Sequence, residues 1–230
     1  MAGGLGWGSE RSGWEAVVHV RADLKVLYFG TPVVLIGSRN PDGSANLAPM
    51  SSAWWLGQSC MLGMGSRSRT TANLLREREC VLNLVASDMA AAVDRLAPLT
   101  GSDPVPEGKL AKGYRFEADK FGAAGLTEQE SELVQAPRVA ECPIQLECVV
   151  EEAHVFGGTA TAFEVRVVRA HVEERLVIPG TDYIDPVAWD PLIMKFCEYF
   201  GEGANVAPSS LASAWRMPHQ RLREERASVS

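Results

Sequence analysis

The chain has 230 residues, a formal net charge of -7 and a pI near 5.2, with 46% hydrophobic and 22% charged residues. That is the composition of a globular protein whose core needs no disulfide or metal staple. The acidic balance excludes a nucleic-acid face, and no apolar run approaches the ~20 residues of a membrane span. The start, MAGGLGWGSERSGW, lacks the apolar segment of a secretory signal, so a cytoplasmic location is expected.

In chain order, residues 1–14 are Gly-rich and read as a flexible tail, and EAVVHVRADLKVLY (15–28) reads as helical. TPVVLIGSRNPDGSANLAP reads as strand, turn, strand: Val33 to Ser38 is apolar, and Asn40-Pro-Asp-Gly43 is turn chemistry. SCMLGMG (59–65) has strand length. Thr70 to Arg78 suits a helix after a hydroxyl-rich start, and CVLNLVA (80–86) reads as a strand buried on both faces. DMAAAVDRLAPL (88–99) reads as a helix with Asp88 as N-cap, followed by a proline-marked loop over 100–109. LTEQESEL (126–133) reads as a short exposed helix. IQLECVVEEA and TATAFEVRVVRAHVEERLVI alternate as long antiparallel strands. DYIDPVAWDPLIMKFCEYFG (182–201) reads as an aromatic turn and helix, and a charged tail closes the chain over 201–230.

Strands dominate without a regular strand–helix alternation, so a closed antiparallel β-barrel with peripheral helices is expected. The five cysteines (Cys60, Cys80, Cys142, Cys148, Cys197) are scattered and read as reduced thiols in or near the core. His19, His154, His171 and His219 show no ligand spacing, so no metal site is expected.

The stretch GSRSRTTANLLRERE (65–79) places Arg67 and Arg69 where a helix begins. The positive end of a helix dipole usually attracts acids, so two arginines there suggest a bound anion. Ser66, Ser68, Thr70 and Thr71 can donate to phosphate oxygens, and the arginines can pair with them through forked contacts. The chain has no P-loop, and Gly63-Met-Gly65 begins a dinucleotide fingerprint that Ser68 breaks. On spacing alone, a solvated loop with serine caps and water-facing arginines weighs equally.

From Tyr28 to Val85 the chain resembles the flavin reductase-like family, whose fold is the FMN-binding split barrel, a Greek-key antiparallel β-barrel. The matching pieces are TPVVLIGSRNPDGSANLAPMSSAW, SRSRTTANL and CVLNLV, then DKF…GLT (119–127), APRVAECPIQLECVV (136–150) and VRAHVEERL (168–176). The resemblance implies a flavin-binding domain over 15–200, including the C-terminal aromatic segment. It implies that Ala48, Pro49, Met50, Ser51, Ser52 and Ala53 line the isoalloxazine. It also implies that Ser66, Arg67, Ser68, Arg69, Thr70 and Thr71 cup the 5′-phosphate. Homodimers sharing the flavin site, NADH or NADPH as electron donor, and a partner monooxygenase as acceptor are further implications. Asn83 matches a frequent family asparagine and reads as structural.

Many family reductases carry a late-strand histidine in a pattern like H-x-L-F-x-G-E-V. Here ATAFEVRV puts Ala160 in place of the histidine and Arg166 in place of the glutamate. This departure bears on the nicotinamide step and leaves flavin binding untouched, and no catalytic residue is assigned. His154 reads as a solvent-exposed strand-end residue. Of Trp54 and Trp55, alternation sends one to the core and the other to the flavin or a dimer interface. Tyr183, Trp189, Phe196, Tyr199 and Phe200 read as an anchor for the C-terminal segment, with a lid over the flavin as the sharper alternative. An FMN-binding oxidoreductase, most simply an NAD(P)H-dependent flavin reductase, is the leading expectation. A non-enzymatic electron carrier, or a barrel recruited for another ligand such as haem, is the alternative.

Overall fold

The computed structural model describes residues 18–201, 203–207 and 209–219, so the expected tail over 1–14 and the chain end over 220–230 lie outside them. The elements run β1 (Phe29–Pro32), β2 (Val34–Arg39), β3 (Ala45–Met50), β4 (Ala53–Leu56), β5 (Ser59–Gly65), α1 (Arg69–Glu77) and β6 (Glu79–Leu84). An excursion follows: α2 (Ala90–Leu96), β7 (Leu99–Thr100), α3 (Glu107–Leu110), β8 (Arg115–Phe116) and α4 (Lys120–Ala124). Short β9 (Glu128–Gln129) and β10 (Arg138–Val139) lead to the long hairpin β11 (Ile144–Phe156) and β12 (Ala160–Val172). The chain closes with β13 (Ile193–Lys195), β14 (Glu198–Phe200) and α5 (Ser210–Ala214).

Seven strands form one sheet in the order β3-β2-β6-β11-β12-β5-β4, antiparallel at every pairing. Its two edges, β3 and β4, are joined by Ser51 and Ser52 alone. Laid flat, the edges of seven strands would stand about 29 Å apart at ~4.8 Å per spacing. Three Cα steps reach only about 11 Å. The sheet must therefore curl until its edges meet; the Gly63 N–H donates to Ser52 O at 2.8 Å, which carries the β4–β5 pairing one residue past Ala53 into that connection. This is the expected β-barrel, split where the edges meet.

Period-2 alternation separates two cores. Val34 and Ile36 point into the barrel with Leu62, Met64, Leu74, Leu82, Cys148, Phe163 and Val165. Val33 and Leu35 face outward, where Val93, Leu96, Phe121 and Leu126 cover them. α2 and α4 are thus pinned over β2 and β3. Asn83, 0% exposed, donates to Leu35 O at 3.0 Å and accepts from the Val139 N–H at 2.8 Å, a satisfied structural amide. Cys60, Cys80, Cys142 and Cys148 are buried free thiols, and Cys197 is exposed.

Four local expectations are corrected. No helix forms over 18–28, where Val18, Val20, Leu24 and Leu27 are all exposed. A helix of that length needs an apolar face to bury, and this one has none. Asp88 does not cap α2; it lies inside a single 3-10 turn, Ser87–Met89, and makes no cap bond. The segment expected to be helical at 126–133 instead pairs Glu128–Gln129 with Arg138–Val139. The Glu147 carboxylate accepts from the Glu132 and Leu133 N–H groups at 2.9 and 2.7 Å, bonds a helix would redirect. Finally, the C-terminal helix is a hairpin, β13–β14, paired to β1. Phe196 and Cys197 occupy φ 49° and 67°, the left-handed pair of a tight hairpin turn.

Trp55 is half-buried against the barrel core, while Trp54 on the edge strand β4 is 58% exposed. Tyr199 packs on the outer core, which ties the C-terminal hairpin to the barrel.

Candidate functional site

β5 ends at Gly65, and the chain turns directly into α1. Ser68 is the N-cap: its Oγ accepts from the Thr71 N–H at 3.0 Å and donates to Thr71 Oγ1, which in turn donates to Gly65 O. The serine and threonine of SRSRTT therefore build the turn itself. As the first two helical residues, Arg69 and Thr70 have N–H groups with no intrahelical acceptor. Ser66 Oγ shares a 2.9 Å hydrogen bond with Thr161 Oγ1 on β12.

These groups open onto a cleft of about 780 Å³. Ala48, Pro49 and Met50 of β3 form one wall, with Met64 and Gly65 of β5. Ser66, Arg67, Ser68, Arg69 and Thr70 form its polar end, and Gly158 and Thr159 of the β11–β12 turn border it. Ser51, Ser52, Ala53 and Thr71 do not line it. Ala53 is buried in the barrel core and Thr71 in the capping network, while Ser51 and Ser52 form the half-buried seam.

The excursion between α2 and α4 supplies the remaining wall, including Thr100, Gly101, Lys109, Lys112, Tyr114 and Lys120. Sequence reasoning placed none of these in the site. The available signal was lysine scarcity: of Lys25, Lys109, Lys112, Lys120 and Lys195, three fall within 109–120.

Arg69 Nε donates to Gly101 O at 2.9 Å, which fixes the guanidinium against the excursion. A Cβ at Gly101 would stand 2.9 Å from Asn46 Oδ1 and 3.1 Å from Arg69 Cγ, so only glycine lets the two segments meet. Asn46, 1% exposed, donates to Ser38 Oγ and Thr70 Oγ1, leaving its carbonyl oxygen to accept from Lys120 Nζ at 2.9 Å. Lys120 is itself buried at 5% exposure, and burial, with Lys109 and Arg69 nearby, pushes its ammonium down to about 8. Burial also lowers Lys109, whose Nζ reaches Thr100 Oγ1 at 3.2 Å. Among the described residues, five cations line the cleft and no carboxylate or histidine does, although the chain carries net charge -7. Such a cleft concentrates anions.

The histidine-free stretch of β12 lies beside this site. Ala160 pairs with Gly65, Arg166 is paired with Glu151 at 2.6 Å, and His154 is exposed on β11. Neither Trp54, Trp55 nor any of the late aromatics lines the cleft. Among the described residues, no helix is long and apolar enough to cross a membrane.

Residues 26–196 match the flavin reductase like domain. The chain is 36% identical over 184 residues to the uncharacterized protein YdfE of Bacillus subtilis (strain 168), covering 79% of this chain and 88% of that protein. Among solved structures, flavoredoxin of Desulfovibrio vulgaris (Miyazaki F) superposes with a TM-score of 0.70 at 19% identity, covering 85% of this chain and 100% of that one. Nitrilotriacetate monooxygenase component B from Bacillus cereus superposes with a TM-score of 0.67 at 22% identity, with coverages of 85% and 100%. At these identities the likeness to the two solved structures shows the fold.

Proposed function

The chain belongs to the flavin reductase-like family, and on that premise we propose an FMN-dependent oxidoreductase, most simply an NAD(P)H:flavin reductase. Its electrons pass to free flavin or to a partner monooxygenase, as the likeness to a monooxygenase component suggests. The observation that carries this reading is the carboxylate-free cationic cleft at the N-terminus of α1. Its volume suits a ligand of cofactor size. Ser66, Ser68, Arg69 and Thr70, with the free N–H groups of the first helical turn, would hold a terminal phosphate. Arg67 adds charge from the exposed side, and Ala48, Pro49 and Met50 would border the ring. Bound flavin supplies the hydride chemistry, and the chain supplies position and electrostatics.

A flavin-binding electron carrier is the second reading, favoured by the alanine at position 160. Adding NADH or NADPH without air to FMN-loaded protein separates the two. Rapid bleaching of the flavin absorbance is the expected result. A spectrum that bleaches only with a chemical reductant would assign the carrier role.

We also propose a homodimer. Trp54 and Leu56 on β4, with Val155 and Phe156 at the tip of the long hairpin, are 52–77% exposed. Large apolar side chains of this kind are enriched at interfaces. Light scattering behind a sizing column should give twice the 24.9 kDa of one chain. A single-chain mass with FMN bound would overturn both the dimer and a shared site. A cytoplasmic setting belongs to the same proposal, since all five cysteines are unpaired.

A further inference from the structure

Beyond the β13–β14 hairpin the chain continues as an arm whose large apolar side chains are exposed. Val206 is 95% exposed, Leu211 69% and Trp215 76%. The last two lie four residues apart at α5, where the Trp215 N–H donates to Leu211 O at 2.9 Å, so they share one face. A helix of five residues is not stable in water on its own propensity; it persists where its apolar face is packed. Within one chain that face is open to solvent.

At the root of the arm is a groove of matching character. Its two adjoining hollows, of about 430 and 350 Å³, share Pro186, Trp189 and Gly203, and Ile193 and Phe200 extend the apolar lining. Hollows of this size admit a drug-sized group, and an indole is smaller. Both walls are fixed. The Leu192 N–H donates to Val85 O at 2.9 Å and the Ser87 N–H to Asp190 O at 3.0 Å, which holds one wall against the barrel. A Cβ at Gly201 would stand 2.2 Å from Ser87 Cβ, so the chain is pressed onto that same turn as it leaves the hairpin. Gly203, Ala204 and Asn205 form the rim, and the arm beyond them leaves Leu211 and Trp215 in solvent rather than folded back over Trp189.

The distribution of charge points to what fills the groove. From residue 203 to the chain end there are four arginines against two glutamates, in a chain whose net charge is -7. The arm is therefore cationic and the rest of the chain anionic, which makes a second copy a complementary partner.

We propose that the C-terminal arms of two copies exchange: Leu211 and Trp215 of one chain fill the groove at Trp189 and Phe200 of the other, and the reverse. Because the groove lies at the root of the arm, one two-fold rotation seats both arms at once. The inference rests on the homodimer reading and adds the element that makes the contact. None of the groove or arm residues lines the cleft, so this surface is separate from the cofactor's.

The test compares the wild type with a Leu211→Ser, Trp215→Ser double variant by light scattering behind a sizing column over a dilution series, with thermal melts of both. The variant's dimer dissociation constant should rise at least ~100-fold, because each substitution removes an apolar anchor at two symmetric contacts. Diluted to single chains, the two proteins should melt at the same temperature, since neither side chain is buried within one chain. Independently, Trp215→p-benzoylphenylalanine in the full chain, mixed as two differently tagged forms and irradiated, should give an interchain product that maps to residues 186–204. A link confined to its own chain, a link outside the groove, no link, or a double variant that melts lower as a single chain would each overturn the proposal. If the wild type dimerises and the double variant does so equally well, the arm exchange falls and the homodimer stands. A wild type that stays a single chain at micromolar concentration overturns both.

Discussion

Replacing Arg69 by alanine should weaken FMN binding by about tenfold to hundredfold while leaving the protein folded. Arg69 opens α1 and is half-buried, and its Nε is committed to Gly101 O. That single bond aims the guanidinium and leaves its remaining N–H groups for a ligand. A charged hydrogen bond to phosphate contributes roughly 1.5–3 kcal/mol, which sets the size of the expected loss. The stability cost is smaller, because the freed Gly101 carbonyl lies beside an open cleft and water can replace the lost donor. Arg69→Lys should recover charge without the fork, and so only part of the affinity. Arg67 is a useful contrast: it is exposed, so Arg67→Ala should matter less. An unchanged flavin dissociation constant in Arg69→Ala would return the residue to the solvated-loop reading.

The difference between Arg69 and Lys120 shows what the sequence made legible. Arg69 sits in a contiguous hydroxyl-rich turn, and the capping rules alone put it at a helix start beside free N–H groups. The long strands were equally plain, because β2, β11 and β12 carry enough apolar residues to declare their faces. Lys120 lies 74 positions from the Asn46 that orients it, and although it falls in the family-like DKF…GLT piece, no capping or spacing rule puts it in the cleft. Within the excursion, residues 100–109 read as a proline-marked loop because their partners are elsewhere in the chain. The missed elements share that cause. β9 and β10 are two residues each, too short for periodicity to register, and exist because other groups hold them. The β13–β14 turn uses Phe196 and Cys197 where Asn-Gly would have signalled a hairpin. Ser51 and Ser52 read as ring contacts from the family pattern, yet geometry makes them the seam that forces the sheet to curl.

The second large effect belongs to Glu147, and it concerns stability rather than binding. Its carboxylate is 0% exposed on β11 and accepts from the Glu132 and Leu133 N–H groups and from His171 Nε2 at 2.7 Å. Arg138 Nε stands 4.0 Å away. Burial alone would raise this carboxyl, but the two backbone donors and His171 outweigh it and hold it below its ordinary 4.5. The Glu132–Leu133 stretch is thus tied to β11 by this side chain, while Glu79 of β6 accepts from the Gln135 and Ala136 N–H groups farther along, and none of these residues lines the cleft. Glu147→Ala leaves the Glu132 and Leu133 donors and His171 without their acceptor, and should cost about 3 kcal/mol. For a chain of this size that corresponds to a melting temperature lower by roughly 6–12 °C. Because the folded-state value is depressed, the contribution is present above pH 4.5 and is lost as pH falls below it. The gap between wild type and variant should therefore narrow in acid. Thermal melts between pH 3.5 and 7 measure this, and a flavin titration well below the transition should show the dissociation constant unchanged. A gap that stays constant down to pH 3.5 would mean that the carboxylate charge is not what holds this segment to β11.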